Sequence, residues 1–328
     1  MKQAARILAI VFGLAFVGAT LLNADLIGRS RRALASGVLR NESAIAASRY
    51  ELALIVPDSD DSFFTGLIAG VEDSVPAAEA AVEIFRYSPS TSEDAERYFE
   101  IALLSRVDGI IMYAQRNDPT EYRFERAKQA NIIFIPVGTD QPSGGLPYFI
   151  GSGSILQGFE GGRLICSSLG SAARIGVILA AGGEGDPMNE PLYRGIASAI
   201  KAFPGAQVSA LIRGEPGLLS GEESTAEMLH SDPAINAIFC TSSSDTIGAA
   251  QVIVDQNKVG KILIVGADET PEIVRYIDKG VVSASIVRDS RKIGHEAVQT
   301  YVDLKAGRKV PAIIEAGFQI RSAEGLGE

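Results

Sequence analysis

Three carboxylates and two aromatic rings fall within seven residues of this chain: Asp58, Asp60, Asp61, Phe63 and Phe64. Carboxylates so placed could do acid–base work, but catalysis needs a constellation, and no partner base or nucleophile is suggested. No GxSxG, HExxH or Cys/His cluster occurs. The Gly-rich stretch from Gly182 to Gly185 has no Lys-Ser/Thr after it, so it is not a phosphate-cradling loop, and no dinucleotide fingerprint is present. His230 and His295 are too few for most metal or triad chemistry. Cys166 and Cys240 are not spaced as a metal or redox pair and read as small buried side chains. The expectation is a protein that is not an enzyme and uses neither metal nor cofactor. What remains is binding: rings offer flat apolar faces, and carboxylates accept hydrogen bonds from a polar ligand. The alternative makes Phe63 and Phe64 core residues and the acids a solvated loop, and the stretch by itself favours that alternative.

The elements around these residues give them a place. Leu52 to Val56 is a continuous apolar run, as expected of a parallel strand covered on both faces. Pro57 ends it, and Phe63 and Phe64 open a helix whose apolar stripe is Leu67, Ile68 and Val71. Further strands are predicted at Ala81 to Tyr87, at Val107 to Tyr113 with Tyr113 at the carboxyl end, at Ile132 to Val137 and at Tyr148 to Ile150. Helices alternate with them, one opened by a capping box of Ser90 and Glu93 and one over Pro119 to Ala130. The rhythm then restarts. Strands are predicted at Arg174 to Ala180, Gln207 to Ile212, Ile235 to Cys240, Lys261 to Val265 and Ser283 to Val287. The third of these runs into TSSSD and the fourth into GADET. Thr270 caps a helix with Pro271 at its first position and Gly280 just past its end. A helix over Ile293 to Lys305 and a last strand from Ala312 to Ile320 complete the chain.

LLSRVDGIIMYA in the first half echoes LHSDPAINAIFCTS in the second: helix end, tight turn, buried strand, polar loop. The fold class is therefore α/β, with two doubly wound parallel-sheet lobes joined by a hinge and preceded by an N-terminal hydrophobic helix. The first lobe is assigned residues 50–150 plus about 283–310, the second 151–282 plus about 311–322. Ligands in such sheets bind beyond the carboxyl ends of the strands, here in a cleft between lobes.

The 328 residues carry a net charge of −10. Seven of the 30 basic residues and two of the 40 acidic ones lie in the first 49 positions, leaving 23 basic against 38 acidic in the body, a net of −15. Such a body repels a phosphate backbone, so nucleic acid is excluded as a partner. Lys2 and Arg6 precede the 16-residue apolar run from Ile7 to Leu22. Residues 1–25 read as a signal peptide or a membrane anchor, and residues 26–49 as a helical stalk or linker. The protein is expected to be exported, to the periplasm or the outer face of the cytoplasmic membrane.

Six pieces of the body resemble the type I periplasmic binding proteins for sugars, of the ribose/galactose-binding class: LALIVPDSDDSFFTGLIAGVEDS, LLSRVDGIIMYA, ANIIFIPVGTD, YFIGSGSILQGFEGGRLI, AIFCTSSSDTIGAAQVI and ILIVGADETPEIVRYIDKGVVSASIVRD. They stand in family order across roughly residues 50 to 320. The resemblance implies solute capture for an ABC importer, with a sugar-like small molecule between the lobes and a membrane permease as partner. Its alternative is a membrane-tethered sensor that passes occupancy to a signalling protein. It also implies a ligand-binding set. Phe63 and Phe64 match the family's aromatic pair, Asp61 stands where an Asn is common, and Asp140 and Asp268 match hydroxyl-binding aspartates. Other positions depart from the pattern. Gln141 replaces a common Arg, and Leu192 stands where relatives often carry one, with Asn189 and Arg194 close by. Ser242 and Ser243 replace an Asn-Asp pair, and Arg288 replaces a Gln. Together with Tyr113 these complete the candidate set. The altered rim carries the expectation that the ligand differs from ribose and bears a carboxylate or phosphate, held by Arg288 and the TSSS loop. The alternative for Arg288 is a salt bridge between lobes, and the sequence leaves the two open.

Overall fold

A computed structural model describes residues 48–59, 61–88, 92–115, 118–140, 145–180, 186–215 and 219–327. The apolar N-terminal run, nearly all of the stalk, the Ser90 capping box, Asp60, Gln141 and the Gly182–Gly185 stretch lie outside them. Among the described residues no helix is long and apolar enough to cross a membrane.

The body from Tyr50 onward holds two sheets of the same winding. In the first, β1 (Tyr50–Pro57) lies between β2 (Ala80–Tyr87) and β3 (Gly109–Tyr113), and β4 (Ile133–Val137) and β5 (Phe149–Gly151) follow outward. In the second, β6 (Arg174–Leu179) lies between β7 (Gln207–Arg213) and β8 (Ala237–Cys240), followed by β9 (Leu263–Ala267) and β10 (Ala284–Arg288). The matching orders, 2-1-3-4-5 and 7-6-8-9-10, bear out the internal echo. All pairings within these ten strands are parallel.

Alternation along β1 shows why its sequence is an unbroken apolar run. Leu52, Leu54 and Val56 join one core with Leu67, Val71, Ile293 and Tyr301. Ala53 and Ile55 face the other way, onto Phe99, Phe134 and Met112. Both faces are covered by helices, so no position from Leu52 to Val56 is free to be polar. In the second lobe β6 does the same: Val177 faces Ile165 and Ile196, while Ile178 faces Met228, Ile253 and Ile273.

The crossings between lobes correct two expectations. The sequence pattern assigns residues 283–310 together to the first lobe. Yet β10 pairs with β9 in the second sheet, while α9 (Ser290–Lys305) packs in the first lobe, against α1 (Ser62–Ser74). The single last strand over Ala312 to Ile320 is two. β11 (Ile313–Glu315) joins β5 in the first sheet, and β12 (Phe318–Ser322) pairs antiparallel with β10 in the second, followed by β13 (Gly325–Gly327). Gly317 makes the break, with a left-handed φ of 82° that most side chains resist. A run of alternating apolar residues cannot say which of two sheets each half joins.

In each lobe glycines let helices meet backbone to backbone. Any Cβ on Gly70 of α1 would strike the Arg291 backbone of α9, and one on Gly294 would strike Leu67. In the second lobe, α4 (Ser154–Leu169) and α5 (Pro191–Ile200) meet in the same way, Gly158 against the Leu192 carbonyl and Gly195 against the Ile155 carbonyl.

Candidate functional site

α1 starts where β1 has just ended, which puts its N-terminus at the carboxyl edge of the first sheet. Asp61 is the N-cap: it is extended (φ −63°, ψ 125°), and its Oδ1 accepts the Phe63 backbone N–H at 3.0 Å. Phe63 and Phe64 follow, both buried and both part of the first lobe's core. Phe64 meets Tyr113, from the end of β3, edge to face with centroids 4.9 Å apart, and Phe63 meets both rings in the same manner. The Tyr113 hydroxyl is hydrogen-bonded to the Thr139 side chain, and burial pushes its phenol pKa up.

The second lobe brings Asp268 and Arg288, from the ends of β9 and β10. Asp268 has a left-handed φ of 60°, a conformation that Asp tolerates better than most residues. Its backbone is pinned on both sides: its N–H donates to Ile286 O at 2.8 Å, and Ser285 Oγ donates to its carbonyl at 2.6 Å. A costly backbone held by its surroundings is a mark of functional sites. The carboxylate grips Arg288 along one edge of its guanidinium. Nε donates to Oδ1 at 2.9 Å, Nη2 donates to Oδ2, and the Arg288 backbone N–H donates to Oδ1 at 3.2 Å. Nη2 also reaches across to the first lobe, 3.3 Å from each oxygen of Asp61. The guanidinium carbon lies 4.6 Å from the Phe63 ring centroid.

These groups are largely buried. Side-chain exposure is 10% for Arg288, 15% for Asp61 and 5% for Asp268, so the ions must satisfy one another. Burial alone would lower the Arg288 pKa. The charges of Asp268 and Asp61 and the bond to Asp268 more than reverse this, and hold it above the usual guanidinium value. Burial pushes the Asp268 carboxyl up, against the pull of Arg288. The fork-on-carboxylate geometry is that of an ionised pair.

Of the two readings left open for Arg288, the geometry realises the salt bridge between lobes. Phe63 likewise proves to be a core ring, and it carries the guanidinium on its face. The other candidates fall in three groups. Ser242 and Ser243 join the cluster: Ser242 caps α7 (Ser243–Asp255), and Ser243 Oγ accepts the Ser62 N–H across the lobes at 3.4 Å. Asp140 sits just past β4, where its Oδ1 accepts the Ser154 N–H at the start of α4 at 3.1 Å. Asn189 is exposed at the end of a short 3-10 turn (Pro187–Asn189), outside the buried group, and Arg194 is exposed as well. Asp58 points away to solvent, 3.9 Å from Arg86. Gln141 lies outside the described residues.

The sequence reading missed Asp245, which is buried and accepts the Ser242 hydroxyl at 2.6 Å. Burial pushes its carboxyl pKa up, and the charge of Asp61 adds to that. An acid three residues after a capping Ser was the available signal. Thr246 was missed too. Its Oγ1 donates to Ser242 O at 2.7 Å and accepts the Ala267 N–H at 3.0 Å, tying α7 to the strand end that carries Asp268. Cys166 and Cys240 are buried as expected, and burial pushes both thiols up, away from reactivity. Among the described residues no group of His, Cys, Asp and Glu could hold a metal ion.

A buried polar cluster shared by two lobes, next to an aromatic corner at the strand ends, suits the enclosure of a small polyhydroxylated molecule. A family model described as "periplasmic binding protein domain" matches residues 52–309. The chain is 24% identical over 288 residues to the D-allose-binding periplasmic protein of Escherichia coli (strain K12), covering 84% of this chain and 90% of that one. It is 27% identical over 295 residues to the ribose import binding protein RbsB of Haemophilus influenzae, covering 88% and 98%. The fold superposes on GanP, a glucose-galactose binding protein from Geobacillus stearothermophilus, with a TM-score of 0.75 at 22% identity, over 84% of this chain and 98% of that one. A match over most of the body, in a fold wound as two equivalent lobes, places the chain in a family of binding proteins rather than of enzymes: it belongs to the periplasmic binding protein domain family.

Proposed function

We propose that this chain is the extracytoplasmic solute-binding component of an ABC importer, and that it encloses a sugar-like molecule between its two lobes. The observation that carries the reading is the cluster of Asp61, Asp268 and Arg288, which draws on both lobes and adjoins the corner of Phe64 and Tyr113. The relatives' names supply the ligand class, one being a D-allose-binding and another a ribose import binding protein.

The chemistry follows from the parts. A sugar has apolar C–H faces and a rim of hydroxyls. Phe64 and Tyr113 offer aromatic surface to a face, and Asp61, Asp140, Asp268 and Ser243 offer partners to the rim. Carboxylates already fixed by Arg288 or by a helix N-terminus accept hydroxyl protons without reorganising. A ligand that touches both lobes stabilises the closed form by its differential affinity, and a membrane permease reads that form. Arg288 acts here by holding the two aspartates in place.

Thermal-shift screening of the purified protein against pentoses, hexoses, polyols and sugar acids tests the reading. A sugar that binds only the folded state raises the midpoint, with the logarithm of its concentration over Kd. If no member of the panel moves the midpoint at millimolar concentration, the sugar-binding reading fails.

A further inference from the structure

We propose that Asp61 sets the charge selectivity of the cleft, admitting uncharged sugars and excluding those that carry a carboxylate or phosphate. The inference rests on the sugar-binding reading above and deepens it.

Two features of the cleft could hold an anion: the Arg288 guanidinium and the N-terminus of α1, whose free N–H groups favour negative charge. One carboxylate occupies both. Asp61 Oδ1 accepts the Phe63 N–H at 3.0 Å, and both its oxygens lie 3.3 Å from Arg288 Nη2. The guanidinium is also gripped by Asp268 through Nε and Nη2, so neither of these nitrogens is left for a ligand. The formal charge of Asp61, Asp268 and Arg288 together is −1. The nearby carboxyl of Asp245 adds no positive charge, and its own helix N-terminus is already capped by Ser242. The N-terminus of α4 is taken in the same way, by Asp140 on the Ser154 N–H. Helix ends that would attract a phosphate are thus closed by the protein's own oxygens. An anionic sugar would meet like charge at low exposure, where screening is weak. A neutral sugar meets fixed acceptors.

The experiment uses calorimetric titration of the full chain with matched pairs: D-ribose with D-ribose 5-phosphate, D-allose with D-allose 6-phosphate, and D-galactose with D-galacturonate. For a sugar that binds, the wild-type protein is expected to favour the neutral partner by about 100-fold or more. Asp61→Asn keeps the cap, since Asn is as good an N-cap as Asp, but removes the charge. It should cut that preference by about 10-fold or more, whatever it does to the absolute affinities. Exclusion by size alone would leave the ratio unmoved. Asp61→Ser, a second capping residue, serves as an independent variant, and the thermal midpoint checks that each is folded. Tighter binding of an anionic partner by the wild type would overturn the inference while leaving the sugar-binding reading intact, as would an unchanged ratio in folded Asp61→Asn. If no pair binds the wild type, the sugar-binding reading and the inference fall together.

Discussion

The two lobes share a winding order but are furnished differently. Every ring–ring contact among the described residues joins residues of the first lobe, from Tyr50 with Tyr301 to Phe124 with Tyr148. The second lobe's main core is aliphatic, built on Ile178, Ile238, Ile253, Ile264, Ile273 and Met228. The site repeats the contrast. The first lobe supplies the aromatic corner, and the second supplies the hydroxyls of Ser242 and Ser243 and the charges of Asp268 and Arg288. On the proposed function, the first lobe offers its rings to the apolar face of a ligand, and both lobes offer oxygens to its polar rim. Asp61 is a first-lobe charge that completes a second-lobe pair.

The sharpest way to break this contrast is Arg288→Ala. It removes the cation and leaves two carboxylates, one from each lobe, buried face to face. Removing one partner of a buried ion pair costs about 3–5 kcal/mol. We expect urea unfolding to register a loss of that size, and sugar binding to be lost with it. A stability within about 0.5 kcal/mol of wild type would show that the cluster is solvated and that the lobes are not coupled through it.

The glycine-clamped helix pairs test whether the lobes stand or fall together. Gly70→Ala forces α1 off α9 in the first lobe, and Gly195→Ala forces α5 off α4 in the second. Overpacking of this kind costs about 1–3 kcal/mol. If the lobes unfold as one unit, both variants shift a single transition and fluorescence and circular dichroism stay coincident. If each lobe unfolds alone, the two variants move different transitions, Gly70→Ala one carrying most of the tyrosine signal and Gly195→Ala one reported by Tyr193 and Tyr276.

How much of this was legible in the sequence differs by element. The strands buried on both faces were plain, because Leu52 to Val56 and Ala237 to Cys240 are unbroken apolar runs. Thr270 with Pro271 and Gly280 was equally plain: Thr270 Oγ1 accepts the Ile273 N–H at 3.1 Å, and Gly280 takes the left-handed φ of 68°. The last segment was not, because Gly317 divides an alternating run between two sheets and the residues on either side look alike. Within the site, Asp61, Asp268 and the serines could be placed at strand ends by position alone. What could not be read was the partnership. Asp61 and Arg288 are 227 positions apart, and only the winding of two lobes brings them within 3.3 Å. An Arg in a ligand cleft reads as an anion receptor until its counter-ions are seen. The same ignorance of partners hid Asp245, whose acid reads as an ordinary first-turn residue unless its burial is known.

The smallest effect tests the aromatic lobe alone and works through pH. The Tyr148 hydroxyl donates to the Phe134 carbonyl at 3.0 Å, and burial pushes its phenol pKa up to about 12, against an ordinary 10.0. The unfolded chain releases this proton near its ordinary value, and the folded chain holds it longer. The stability it contributes is therefore full below pH 10 and falls as pH rises from 10 to about 12, where the folded phenol also ionises. Burial pushes Tyr87, Tyr113 and Tyr301 the same way, all in the first lobe; Tyr276 is the second lobe's member of the set. Tyr148→Phe should cost about 1 kcal/mol at neutral pH through the lost hydrogen bond and flatten the alkaline slope. With nine tyrosines and no tryptophan, absorbance near 295 nm follows tyrosinate without interference. An alkaline slope unchanged in Tyr148→Phe, but reduced in Tyr276→Phe, would move the sensitivity to the second lobe and undo the contrast between an aromatic and an aliphatic half.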